Sequence, residues 1–412
     1  MEKRAVTELY PMLSVEEALE QVLSHFRPLE PERVPILEAL DRVLAEDVYS
    51  SFDIPPRANS AMDGYALLAA DTRGAGPQTP KRLRIIGDVA AGYVSEAAVT
   101  PGTAIRIMTG APIPPGADAV VRFEDTKQQG EWVDVFIEVP AGNEIRLAGE
   151  DVRRGELVLR RGIRIRPQEV GMLASLGRQE VVVIRRPRVA VLATGDELVE
   201  AGHPLGPGKI YNSNSYSNAA QVIRYGGIPI MLGIARDRIP ELTEKIKAGL
   251  AQGVDLFLVS GGVSVGDFDV VKNVLAAEGE ITFWRVRMKP GKPMAFGRIG
   301  GVPLLGMPGN PVSVMVSFEI FARPAILTMM GITELDKPTV EAVLLDEVKY
   351  KDDRRHFLRV YVEGKNGEYY ARLTGEQGSG ILSSMVKANG LAIIPETWDH
   401  VPAGERVQVM ML

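Results

Sequence analysis

Two periods of apolar residues alternate along this chain. SVEEALEQVLSHF opens on Ser14, carries Glu17 three residues later, and then repeats apolar positions every three to four residues. That predicts a helix begun by a capping box, in which the Ser14 and Glu17 side chains satisfy free backbone N–H groups. PILEALDRVLAED keeps the same period and predicts a second short helix. Beyond Pro55-Pro56 the pattern shortens. Residues 58–142 are rich in Gly, Pro and β-formers, with strand-like runs at Leu83–Ile86, Ala104–Met108 and Trp132–Val139. Residues 143–187 return to mixed character, with an apolar helix around Pro167–Leu176. The β-rich block 58–142 therefore reads as a domain inserted into an elongated mixed α/β domain made of 1–57 and 143–187.

From Arg188 buried-type strands alternate with helices. PRVAVLAT, IPIMLGIA, DLFLVSGG and VPLLGMPGNP are the strands. SNSYSNAAQVIRYGG, PELTEKIKAGLAQG, DVVKNVLAAEG and a run from Pro311 to about Gly331 are the helices, the last with Asn310 as cap and Pro311 as first residue. Apolar strands alternating with helices predict a parallel, doubly wound sheet over 188–331. From Pro338 to Leu412 the chain reads as short strands separated by turns, a small all-β domain of barrel type.

Composition narrows the chemistry. A net charge of −6 with nearly balanced acids and bases excludes nucleic-acid binding through a global basic surface. With no cysteine there are no thiol nucleophiles, thiolate metal sites or disulfides. The four histidines, His25, His203, His356 and His400, are scattered, which argues against a His-based zinc site or Ser-His-Asp machinery. MEKRAVTELYPML lacks the apolar core of a signal peptide, and no uninterrupted apolar stretch spans a bilayer. The expectation is a soluble cytoplasmic protein with no membrane or nucleic-acid partner.

In an open parallel sheet ligands bind beyond the carboxyl ends of the strands. Three predicted strands end in acid: Asp196 with Glu197, Asp237, and Asp267 with Asp269 after the glycine turn of SGGVSVGDFD. Lys289 and Lys292 of KPGKP follow in the chain. Lysines and turn amides bind phosphate-like anions, whereas carboxylates repel them unless a cation lies between. The combination points to a divalent cation and a highly anionic small molecule. Each feature also has a plainer reading. Asp267 or Asp269 serves equally as a helix cap, Asp237 as a turn residue, the glycines as a tight turn, and KPGKP as a solvated hairpin tip. NSAMDGYA, with Asp63-Gly64, reads locally as a structural turn, and EIRLAGEDV as a salt-bridged surface turn.

Taken in order, NSAMDGYA, RIMTGAPIPPGADAVV, RLAGEDVRRGE, VLATGDELVE, GKIYNSNSYS, SGGVSVGDFDVVK, MKPGKPMAFG and GMPGNPVSVMVSFE, spanning Asn59 to Glu319, resemble the MoeA family. These are the molybdopterin molybdenumtransferases, which include the E domains of gephyrin and of its plant counterpart. The resemblance implies a four-domain subunit with a MogA-like α/β domain at 188–331 and a β-barrel at 338–412. It implies a homodimer, with each crevice shared between the α/β domain of one subunit and the β-rich domain of the other. The reaction it implies is insertion of molybdate, or tungstate, into adenylylated molybdopterin, with Mg2+-dependent cleavage of the pyrophosphate and release of AMP. A MogA-like adenylyltransferase is the implied partner. The family's functional positions fall on Asp63, Thr109, Arg146, Asp151, Glu197, Asp237, Asp269 and Lys289, with Glu197, Asp237 and Asp269 as metal candidates. Ser260, Gly261, Gly262, Ser264, Gly266, Arg285, Lys292, Pro308 and Pro311 are the implied substrate-binding positions. Arg285 departs from relatives that carry lysine there, so a planar fork replaces a point charge.

Two other functions fit the same fold. A receptor-organising scaffold would be favoured by loss of the carboxylate set, which is present. A pterin adenylyltransferase like MogA would lack the β-rich and C-terminal domains.

Overall fold

The computed structural model describes residues 12–262, 270–350 and 352–412. It divides into two compact units, Glu46–Val181 and a larger one made of the chain up to Ala45 together with Val182–Leu412. The four expected domains divide the chain more finely than these two units do.

The larger unit starts with helix α1, Val15–Ser24. Its capping box forms as the sequence dictates: Glu17 N–H donates to Ser14 Oγ at 3.1 Å and Ser14 N–H to Glu17 Oε2 at 2.8 Å. Val15, Ala18 and Val22 bury one stripe in the core. The second expected helix, PILEALDRVLAED, is absent. Residues 36–42 form turns instead, with i to i+3 hydrogen bonds such as Glu38 N–H to Pro35 O, and Asp41 takes a positive φ of 65°. Tertiary pairing overrides the helical period there, because Val43 and Ala45 bond to the backbone of Ile184 and Val182. The periodic Leu37 is left 78% exposed.

The smaller unit is built on a six-stranded sheet. Its strands are β1 (Gly64–Leu67), β2 (Lys81–Val89), β3 (Thr103–Ile107), β4 (Ala119–Arg122), β5 (Thr126–Gln129) and β6 (Trp132–Val135), in the order β4-β1-β3-β2-β6-β5. Both faces are covered: Tyr65, Leu67 and Val121 pack on one side, Ala66, Ile105 and Val120 on the other. Helix α2 (Pro167–Ser175) follows where the apolar run predicts it.

The α/β part of the larger unit contains β7 (Arg188–Thr194), α3 (Ser213–Arg224), β8 (Ile228–Ala235), α4 (Ile239–Ala251), β9 (Leu256–Ser260), α5 (Val270–Glu278), β10 (Gly279–Arg285), β11 (Pro293–Ile299), β12 (Val302–Met307) and α6 (Pro311–Ser317). A π-helical turn, Phe318–Ala322, joins α6 to α7 (Arg323–Met329). The sheet order is β8-β7-β9-β12-β11-β10. The first four strands are parallel, as predicted, and β11 and β10 add an antiparallel edge. Alternate side chains serve opposite faces: Leu256 and Leu258 join the core with α1, α3 and α6, while Phe257 and Val259 join α4 and α5. The stretch Pro311–Met329 is long and apolar enough to cross a membrane, yet 78% of its window is buried, as in the core helix of a folded domain.

The C-terminal strands β13 (Thr339–Leu344), β14 (Arg355–Lys365), β15 (Glu368–Leu373), β16 (Gly390–Ile394) and β17 (Arg406–Met411) pair in the ring β14-β15-β13-β17-β16-β14. Ring closure removes free edges and encloses Leu344, Val360, Ala371, Ile394 and Val409. Helix α8 (Leu382–Val386) lies between β15 and β16.

Candidate active site

The parallel strands point their carboxyl ends one way, and a cavity of about 820 Å³ opens there. Thr194 and Gly195 reach it from β7, Asp237 from just past β8, and Ser260, Gly261 and Gly262 from β9. Pro308 to Pro311 reach it from the turn after β12. Two helices begin at its wall. Asn212 caps α3 by accepting the Ser215 N–H at 3.2 Å, and Asn214 Nδ2 donates to Gly309 O at 2.7 Å, tying the start of α3 to the turn that launches α6. Helix starts present free N–H groups and positive potential, suited to anions. The glycine turn is sterically required. Gly261 has φ +88° and a Cβ there would overlap the Thr194 carbonyl; at Gly262 (φ +63°) it would lie 2.8 Å from Thr194 Oγ1.

Acidic groups gather at the same place. Glu197 and Asp237 both line the cavity. Partial burial pushes the Asp237 carboxyl above its ordinary value; the Asp196 N–H, donating at 3.3 Å, opposes this, and the charges of Asp196 and Glu197 add to the rise. Lys209 Nζ and Arg236 each donate to the Asp196 carbonyl, at 2.6 and 3.0 Å. Among the described residues the buried hydroxyls of Thr194 and Ser260 have no hydrogen-bond partner, which marks the floor as a place where a ligand or water supplies hydrogen bonds. Among the described residues no three acidic or histidine side chains converge into a complete metal cage. Two carboxylates suit Mg2+, which keeps waters and takes one or two protein carboxylates plus substrate phosphates.

The cationic segment lies differently from the simplest expectation. Arg285, Lys289 and Lys292 fall outside the lining of this cavity, although Pro293 belongs to it. Arg285 ends β10, where its carbonyl accepts the Leu13 N–H. Met288-Lys289 pairs with Arg355-His356 of β14, and Lys289 Nζ is 3.6 Å from Asp352. KPGKP is thus not a free hairpin tip: it is stitched to the barrel at Lys289 and reaches the cavity wall through Pro293 alone, not through its lysines. Ser264, Gly266, Asp267 and Asp269 lie outside the described residues.

The smaller unit brings three separated motifs together. Asn59-Ser60 pairs antiparallel with Ile145-Arg146, Arg146 opposite Asn59. Ser60 exchanges backbone hydrogen bonds with Gly110 and Ala111 of the Met108–Ala111 turn. Thr109 donates to Asp63 Oδ1 through both its N–H and its hydroxyl, each at 2.7 Å, and these bonds hold the Asp63 carboxyl below its ordinary value. Arg146 and Asp151 are exposed, and the Asp151 N–H donates to Ile54 O. Asp63, Thr109 and Arg146 therefore share one loop cluster.

The match to known proteins covers nearly the whole chain. Residues 13–177 match the model of the MoeA N-terminal region (domain I and II), 190–328 that of a probable molybdopterin binding domain, and 341–412 that of the MoeA C-terminal region (domain IV). Molybdopterin molybdenumtransferase 2 of Mycobacterium tuberculosis is 39% identical over 404 residues, covering 97% of this chain and 99% of that one. The chain belongs to the MoeA family. Molybdopterin molybdenumtransferase of Haemophilus influenzae is 37% identical, with 97% and 98% covered. The crystal structure of the molybdopterin biosynthesis MoeA protein from Pyrococcus horikosii superposes with a TM-score of 0.84 at 34% identity, covering 97% of this chain and 99% of that one.

Several residues of this MoeA-family site escape sequence reasoning. Gly380, from the loop before α8 in the barrel, and Leu382, the first residue of α8, line the cavity, and Ser379 O accepts the Val312 N–H at the start of α6. Nothing in GEQGSGILSS signals that, because the contact is made by backbone across more than sixty residues of chain. Asn212, Ser213 and Asn214 were findable: a capping asparagine at a helix start beyond a parallel strand is a standard anion position.

Proposed function

We propose that this protein inserts molybdate, with tungstate as an alternative oxyanion, into adenylylated molybdopterin during molybdenum cofactor biosynthesis, releasing AMP. The single observation that carries the reading is the cavity at the strand ends, where a sterically enforced glycine turn and two helix starts face Glu197 and Asp237. Relatives along the full chain named molybdopterin molybdenumtransferase support it.

In this reading the Gly261-Gly262 turn, the hydroxyls of Thr194 and Ser260 and the start of α3 receive the phosphates of the substrate. Glu197 and Asp237, with Asp269, hold Mg2+, which when bound neutralises the pyrophosphate that is cleaved. Partial burial raises the proton affinity of Asp237, and a bound cation would lower it again by favouring the carboxylate. Ser264 and Gly266 take part in substrate binding, and Pro308 and Pro311 shape the cavity wall. Lys289, Lys292 and Arg285 supply positive charge for the oxyanion from the barrel side. Asp63, Thr109, Arg146 and Asp151 act in trans: the enzyme is a homodimer in which the Asp63 cluster of one subunit completes the cavity of the other. The same reading divides each subunit into four domains, places the enzyme in the cytoplasm, and takes its substrate from a MogA-like adenylyltransferase.

The test is molybdate-dependent AMP release by Asp63→Ala, Glu197→Ala and Asp269→Ala. Each variant alone is expected to lose at least tenfold in rate. Mixing the Asp63 and Glu197 variants after subunit exchange is expected to restore roughly a quarter of wild-type activity, because half the dimers are then mixed and each carries one intact site. Near-normal single variants sink the residue roles; absence of recovery sinks the shared site.

A further inference from the structure

One stretch of the cavity lining is unlike the rest. Most of its residues are acids, hydroxyls, amides, glycines and prolines. Leu198 and Ile210 are branched aliphatics, and they stand directly opposite each other in the short parallel ladder Leu198-Val199 with Ile210-Tyr211. Opposed residues put their side chains on the same face of a ladder, so the two form one apolar surface. Leu198 is buried beneath, whereas Ile210 is 56% exposed.

The ladder holds this surface still. Ile210 N–H donates to Glu197 O at 2.9 Å, and Asn212 N–H to Val199 O at 2.9 Å. On the next residue Tyr211 Oη donates to His203 O at 3.1 Å, and Glu200 accepts from Asn212 Nδ2 and from Tyr216 Oη. The backbone that positions Ile210 also carries Glu197, one residue before Leu198. A fixed, half-exposed aliphatic wall therefore begins one residue from a cavity carboxylate. Phosphates, oxyanions and metal ions gain nothing from such a wall. A flat ring does, because a planar heteroaromatic buries one whole face on an aliphatic surface while its polar edge stays free.

We infer that Leu198 and Ile210 form the ring-binding wall of the cavity, and that Ile210 is a specificity-determining residue that packs on a planar heteroaromatic ring of the substrate. This rests on the adenylylated-pterin reading above, which offers two such rings, the pterin and the adenine. Covering the exposed half of one isoleucine is worth about five- to tenfold in affinity.

The experiment compares Ile210→Ser and Ile210→Val in the full-length enzyme, following AMP release from adenylylated molybdopterin at saturating molybdate and Mg2+. The serine variant is expected to raise KM about five- to tenfold with kcat within about twofold, and valine to recover most of the loss. AMP serves as product inhibitor to identify the ring: its inhibition constant rises in step with KM if the adenine packs on Ile210, and stays put if the pterin does. An unchanged KM in a folded serine variant, or a fall in kcat with KM unmoved, overturns the inference. A changed oligomeric state in that variant also overturns it, since it would place Ile210 in a subunit interface. Failure of the wild-type enzyme to release AMP from adenylylated molybdopterin would instead strike the proposed function itself.

Discussion

Aspartate and glycine at Asp63-Gly64 do different jobs, and local reading sees only one of them. The pair signals a turn. The structure adds that Gly64 passes so close to β4 that a Cβ would overlap the Val121 carbonyl, while Asp63 is gripped by Thr109 forty-six residues away. Backbone cannot yield as a side-chain tip can. Gly64→Ala is therefore expected to destabilise the smaller unit by roughly 2–3 kcal/mol and to lower its melting transition in differential scanning calorimetry. A shift of less than a degree would show that β1 and β4 move apart at little cost. Gly261 obeys the same logic at the cavity, where residue type was legible and its cause, the Thr194 carbonyl, was not.

Among the elements, the best-read were those whose determinants are local. Helix α1 carries its own capping box and stripe, and appears where they place it. The turn at 36–42 shows the limit: an equally helical pattern yields when its neighbours pair with a distant segment. Helix α6 and its π-helical continuation hold a further feature invisible in sequence. Glu319, almost fully buried, accepts from Lys337 Nζ at 2.9 Å, Tyr225 Oη at 2.8 Å and Gln221 Nε2 at 3.0 Å, and lies 3.7 Å from Arg323. Burial pushes Lys337 below its ordinary value even though Glu319 pulls it back. Removing the carboxylate strands the cations, so Glu319→Ala is expected to cost about 3–5 kcal/mol in urea unfolding, with Glu319→Ala combined with Lys337→Met recovering much of it. Equal losses in the single and the double variant would show that the pair is not coupled. Because Gln221 binds the far end of α3 to this group, the network also sets where α3 starts at the cavity.

For the whole molecule, the barrel is more than an appendage. It contributes Gly380 and Leu382 to the cavity and receives Lys289 beside Asp352, His356 and Tyr350. That junction gives an acid dependence. The Arg354 guanidinium, helped by His356, holds Asp352 well below the carboxylate range, and burial pushes His356 below 6.5 despite Asp352. Lys289 and Arg354 also face the imidazole and oppose its protonation. In both groups the unfolded chain takes up protons before the folded one does. Stability is then full above the ordinary histidine value, falls as pH drops below it, and falls again below the ordinary carboxylate value. Thermal unfolding of the larger unit is expected to weaken from pH 6.5 downward, and His356→Gln to shrink the upper stage of that loss, to which His25, also lowered by burial, contributes the rest. A flat stability between about pH 7 and 5 in the wild type would contradict the assignment.

Amino-acid order alone determined the succession of elements, the parallel sheet with acid at its strand ends, the barrel, and the family, because period, caps, turn residues and ordered motifs act over a few neighbours. Tertiary structure alone decided that residues 36–42 form turns rather than a helix, that two antiparallel strands close the sheet, that KPGKP is sewn to the barrel, and that Leu382 and Ile210 face the same cavity as Glu197. Those outcomes depend on pairing and packing between segments far apart in the chain, whose energies are set by contacts that no local window contains.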